Sequence, residues 1–173
     1  MTSRTLAAAA ALALMAGGAH AQQESDNRVS VQTDWSVFED SNPKECWAVS
    51  VPKKTVNTKG GKPVSVSRGE IQLMAFYRPG SNVSGQLAFT GGYPFEGGST
   101  VKISVGNNSF DLYTEGEWAW PAGPGDDAKI LAAMRGGAEA VLTGHSSRGT
   151  QTQDTFSLMG FTAALEEAGK RCK

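Results

Sequence analysis

The sequence predicts a mainly β fold: an antiparallel β-sandwich with one short inserted helix and a C-terminal helix. Three observations carry that expectation. Apolar residues alternate with period two over most of the chain, 21 of the 173 residues are glycine, many of them in pairs, and only two stretches show helical spacing. Taken in order, Val29 and Val31, then Trp35 and Val37, fit early strands, and Trp47, Val49 and Val51 fit the next. Ile71, Leu73, Ala75 and Tyr77 share one strand face, with Met74 and Phe76 on the other; Leu87 and Phe89 mark another strand. Val101, Ile103 and Val105 alternate with Lys102 and Ser104. Gly106-Asn107-Asn108 then supplies residues that tolerate positive φ before Phe110 and Leu112 resume the pattern, which is a hairpin. Ala140 with Leu142, and Phe156 with Leu158, give two more. About seven to nine strands with glycine turns between them are the pattern of a sandwich. The polar stretch from Lys53 to Ser67, broken by Gly60-Gly61, reads as an exposed loop.

Two segments leave the β pattern. Asp126-Asp127 can cap a helix whose Ile130, Leu131 and Met134 form one stripe, with Gly136 as its stop. From Phe161 to Arg171 a second helix places Phe161, Leu165, Ala168 and Cys172 on one continuous face, and Lys170 and Arg171 suit its negative end.

The N-terminus reads as an address. Arg4 precedes an apolar run from Leu6 to Met15, followed by Gly17-Gly18 and the small-x-small triplet Ala19-His20-Ala21. The run spans about ten residues, too short for a bilayer core that needs roughly 20. Residues 1–21 are therefore expected to be a cleaved secretory signal, leaving 22–173 as a single domain in the periplasm, on the cell surface or secreted. No later stretch approaches a membrane span. In an oxidising compartment an even pair of cysteines, Cys46 and Cys172, favours one disulfide; two free thiols or a redox pair are the alternative.

The chemical inventory is sparse. With 16 basic against 17 acidic residues there is no cationic excess to neutralise phosphates, so nucleic acid is not an expected partner. Removal of the signal takes His20 with it and leaves His145 as the one imidazole, too few soft ligands for a transition metal. No phosphate loop or dinucleotide fingerprint occurs, and no cofactor is expected. A hydrolase could use Glu115 and Glu117, which an extended strand would put on one face, or His145 beside Ser146 and Ser147. An acidic edge and a turn histidine explain the same residues. Aromatic pairs are the other feature. Tyr93 and Phe95 in Gly91-Gly92-Tyr93-Pro94-Phe95, and Trp118 and Trp120 in Trp118-Ala119-Trp120-Pro121, stand where they can anchor a partner or plug the core.

Several stretches, in order, resemble the invasion-associated locus B family. They are Trp35-Ser36-Val37, Cys46-Trp47, Gly92-Tyr93-Pro94-Phe95, Ala119-Trp120, Ala133-Met134-Arg135-Gly136, Ser147-Arg148-Gly149-Thr150, Asp154-Thr155-Phe156-Ser157-Leu158 and Gly160-Phe161-Thr162-Ala163-Ala164-Leu165. The resemblance implies an exported bacterial envelope protein with a compact, mostly β domain, no established catalytic activity and a family name taken from host-cell invasion. Many members carry a Cys soon after the Trp-x-Val segment; here Phe38-Glu39-Asp40 stands there, which leaves Cys46–Cys172 as the pairing. Two function classes follow: a non-enzymatic protein that binds a protein or surface partner, or an envelope hydrolase acting on glycan or peptide through Glu115, Glu117 or His145.

Overall fold

The computed structural model describes residues 27–173; the expected signal segment 1–21 lies outside them. Alternation in the sequence becomes twelve strands among the described residues. These are β1 (Arg28–Gln32), β2 (Trp35–Ser41), β3 (Lys44–Ser50), β4 (Lys54–Lys59), β5 (Lys62–Pro63), β6 (Gln72–Arg78), β7 (Val83–Thr90), β8 (Thr100–Val105), β9 (Asn108–Glu115), β10 (Trp118–Trp120), β11 (Glu139–His145) and β12 (Gln151–Ser157). Two helices, α1 (Pro124–Gly136) and α2 (Phe161–Arg171), complete the fold. Every strand pairing is antiparallel, and one continuous sheet runs β1-β2-β3-β6-β7-β10-β9-β8-β11-β12-β4-β5.

That sheet folds over on itself. Phe89 on β7 and Phe156 on β12 lie five strand positions apart, which would separate them by roughly 24 Å in a flat sheet. Their rings instead meet edge-on at 6.1 Å. The inward residues of both halves, among them Leu73, Leu87, Phe89, Ile103, Leu112, Leu142 and Phe156, thus share one core. Helix α2 closes the gap: Phe161 packs on Trp35 at 4.9 Å, and the Trp35 indole N–H donates to the Ser157 carbonyl at 2.9 Å. Gly160 is required at the start of α2, since its φ is +88° and a Cβ there would lie 1.9 Å from the Gln32 carbonyl. The C-terminus of α2 is tied twice. Cys172 is bonded to Cys46 of β3 across a sequence separation of 126, and Arg171 donates to Glu39 of β2 at 3.0 Å.

Two local expectations need correction. Lys53 to Ser67 is exposed but not a simple loop: β4 pairs with β12 and turns through Gly60-Gly61 into β5. Its alternation is faint because β4 and β5 form the open end of the sheet, so little of either face is buried. Asp126-Asp127 does not cap α1. The N-cap is Gly123, with Pro124 opening the helix, and both aspartates lie in the first turn. Asp127 is buried there and accepts the Leu87 backbone N–H at 2.7 Å, joining α1 to β7.

Candidate binding site

The two aromatic pairs have opposite fates. Between β7 and β8 the chain turns at Gly92, whose φ is +70° and where a Cβ would lie 2.6 Å from the Gly69 carbonyl oxygen. That close approach is sealed by the Gly69 N–H, which donates to the Gly92 carbonyl at 2.8 Å. The turn drives Phe95 inward: it is 7% exposed and packs on Phe89 and on the Tyr93 ring edge at 5.0 Å. Phe95 is therefore a core residue and offers no surface to a partner, a correction to its reading as an anchor. Tyr93 is half-buried. Its hydroxyl is 2.5 Å from that of Thr152, the Arg68 guanidinium stands 5.0 Å above its ring, and burial pushes the phenol up.

Arg68 was not singled out by sequence, and it organises this end. Its fork grips Asp154 at 2.8 and 2.6 Å while Nε donates to the Gly91 carbonyl at 2.8 Å. Both side chains are buried, at 6% and 0% exposure. Above them a cleft of about 540 Å³ opens, with Ser67, Glu117, Ser147 and Arg148 on its walls. With Arg68 spent on Asp154, the charges the cleft offers are Glu117 and Arg148.

On β10 the outcome is reversed. Ala119 points inward and is fully buried, so Trp118 and Trp120 point out together. Their rings are 6.2 Å apart at 19°, and Trp120 meets Tyr113 of β9, its cross-strand partner, at 5.6 Å. Trp118 is 37% and Tyr113 48% exposed. Tyr113 was overlooked in the sequence although the signal was there: it alternates with Phe110, Leu112 and Thr114, so it must face outward. A second outward ladder, Phe38–Trp47–Phe76, crosses β2, β3 and β6.

The residues of the hydrolase reading are not gathered in one place. Glu115 and Glu117 flank Gly116, which has a φ of +60° in the turn from β9 to β10, so they do not share a strand face as expected. Glu117 lines the Tyr93 cleft. His145 lines another depression of about 320 Å³, on the outer face of β8, β9 and β11, with Ser99, Thr100, Lys102, Asp111 and Thr143. Ser146 is buried, and its hydroxyl oxygen accepts the Thr150 N–H at 3.1 Å. Among the described residues no group of three or more His, Cys, Asp or Glu could hold a metal ion.

The family described as invasion associated locus B (IalB) protein matches residues 35–169. The chain belongs to this family. The matched span runs from the first residue of β2 to the last turn of α2, so it takes in both aromatic pairs, the Arg68–Asp154 pair and Cys46. The fold also resembles the crystal structure of invasion associated protein B from Bartonella henselae, with a TM-score of 0.55 and 15% identity over 80% of this chain and 94% of that one. No curated protein matches the sequence. Membership in the locus B family agrees with the resemblance read from the sequence, and the mostly β architecture with two helices is the one expected.

Proposed function

We propose that this locus B protein is an exported bacterial envelope protein that works by binding a surface partner and not by catalysis. In this reading residues 1–21 are the export signal, 22–173 form the mature domain, and the protein resides in the periplasm or at the cell surface. The observation that carries the binding role is the outward strip of Trp118, Trp120 and Tyr113. Large aromatic side chains on a surface sheet face cost solvation and stabilise the core little, whereas such groups dominate binding energy at interfaces. The mutual packing of the three rings holds them in fixed positions, so little side-chain freedom is lost on docking. The Tyr93 cleft is the lesser candidate, because its aromatic group is already engaged by Arg68 and Thr152. The dispersal of Glu117 and His145 into separate depressions lends no support to the hydrolase reading.

The test is retention of the folded protein on isolated envelope fractions. Replacing Trp118 by Ala should weaken retention about tenfold, as loss of an interface anchor worth roughly 1–2 kcal/mol does. Melting should shift by only a few degrees. Equal retention of wild type and variant would defeat the proposal.

A further inference from the structure

We infer that the outer face of β8, β9 and β11, next to Tyr113, is a saccharide site that holds a pyranose ring of a glycan chain. The inference rests on the binding role just proposed for the aromatic strip and names the chemistry of its partner. Strand register places the groups. Lys102 is paired with Asp111 on one side and Thr143 on the other, and Thr100 is paired with Tyr113. All of them point outward, because Val101, Ile103, Leu112 and Leu142 between them are fully buried. His145 follows Thr143 by two residues and so emerges on the same face, beside Thr100.

The surface therefore has a step. Tyr113 stands between Trp120 on β10 and the small Thr100 on β8, so one side of its ring leans on an indole, and it borders the depression through Thr100 without lining it. At the foot of the step lie Lys102, Asp111, Thr143 and His145 in about 320 Å³, the lower end of the range for small-molecule sites. A pyranose has an apolar C–H face and a rim of hydroxyls that both donate and accept. An aromatic ring at the rim beside mixed polar groups meets both needs: the Lys102 ammonium only donates, the Asp111 carboxylate only accepts, and the threonine hydroxyls do either.

Two observations show unspent polar capacity. Lys102 and Asp111 face each other across β8 and β9, yet neither makes an ion pair among the described residues, unlike Lys44–Glu39 and Arg78–Glu45 elsewhere on the sheet. Ser99, also lining the depression, has a buried hydroxyl without a hydrogen-bond partner, alone in this among the side chains of the described residues. Its oxygen lies beneath the surface, so a bound hydroxyl reaches it only after the Ser99 side chain rotates outward. A strongly anionic or cationic ligand fits less well, since Lys102 and Asp111 cancel in charge.

The test applies the folded protein to an array of neutral hexose, N-acetylhexosamine and uronate oligosaccharides. Tryptophan fluorescence titration with the best soluble sugar follows. Binding to at least one pyranose class with a shift in tryptophan emission is expected. Tyr113→Ala and Asp111→Asn should each weaken it tenfold or more, while Lys129→Ala on the exposed face of α1 leaves it unchanged. The same sugar in solution should release the protein from envelope fractions. Absence of binding to every class at millimolar sugar overturns the inference, as does wild-type affinity in both variants. If Trp118→Ala abolishes envelope retention while no saccharide binds or competes, the saccharide site falls and the broader binding role stands. If retention ignores Trp118 altogether, the broader role falls first.

Discussion

Tyr93-Pro94-Phe95 and Trp118-Ala119-Trp120 are the same pattern in sequence, two large aromatic residues two positions apart near a turn. In the folded chain the first is structural and the second lies on the surface. The difference comes from what surrounds each pair. Around Tyr93 the tight Gly69–Gly92 contact folds the segment across the end of the sheet, and a buried ion pair lies beneath it. Around Trp118 a regular antiparallel strand with buried Ala119 fixes both indoles outward. Aromatic spacing alone does not reveal exposure; the phase of the neighbouring small or apolar residue does. Substitutions centred on Asp154, Tyr93 and Trp118 test how deep this contrast runs.

The largest effect is expected at the floor of the Tyr93 end. Asp154→Asn keeps the size of the side chain but leaves the Arg68 guanidinium buried without its counter-charge. Breaking one partner of a buried pair costs about 3–5 kcal/mol, and urea unfolding should show a loss of that order. A double replacement, Arg68→Met with Asp154→Leu, should recover much of it, because both desolvated charges then go. A loss under about 1 kcal/mol in Asp154→Asn would mean that this end is held by its aromatic packing and not by the ion pair.

These residues also mark where the sequence was readable. The strands were legible because inward positions such as Val101, Ile103 and Val105 alternate with polar ones on a half-buried sheet. Helix α2 was legible from the Phe161–Leu165–Ala168–Cys172 face, which does end at the disulfide. The Arg68–Asp154 pair was not: its partners are 86 residues apart, and nothing local distinguishes a buried arginine from an exposed one. The same holds for Asp127, whose role depends on a Leu87 N–H contributed by a distant strand. Glu115 and Glu117 misled because one glycine between them converts a strand into a turn.

Tyr93 itself comes next. Tyr93→Ala should cost about 2–4 kcal/mol, below the loss for a fully buried aromatic because the ring is only half-buried. Tyr93→Phe separates the hydroxyl from the ring. It keeps the packing on Phe95 and the contact with Arg68 but leaves the Thr152 hydroxyl, 1% exposed as a residue, without its partner. The expected loss is about 1–2 kcal/mol by thermal or urea unfolding. If Tyr93→Ala proves nearly neutral in stability, the end of the sheet is looser than its contacts imply and Tyr93 returns as a candidate anchor.

The smallest effect on folding is expected at Trp118. Its indole contributes cross-strand packing against Thr90 and Glu115 and a stacking contact with Trp120, but more than a third of it meets solvent. Stacked aromatic pairs are worth about 0.5–1.5 kcal/mol, and an exposed member delivers the lower part of that range. Trp118→Ala should therefore cost no more than about 1 kcal/mol in urea unfolding, at most half the expected loss for Tyr93→Ala. Trp120→Ala should cost somewhat more, since Trp120 is packed on both Trp118 and Tyr113. A loss of several kcal/mol in Trp118→Ala would erase the contrast between the two aromatic pairs. The strip would then be a second hydrophobic layer outside the sheet, needed for folding, and its aromatic content would no longer argue for a partner.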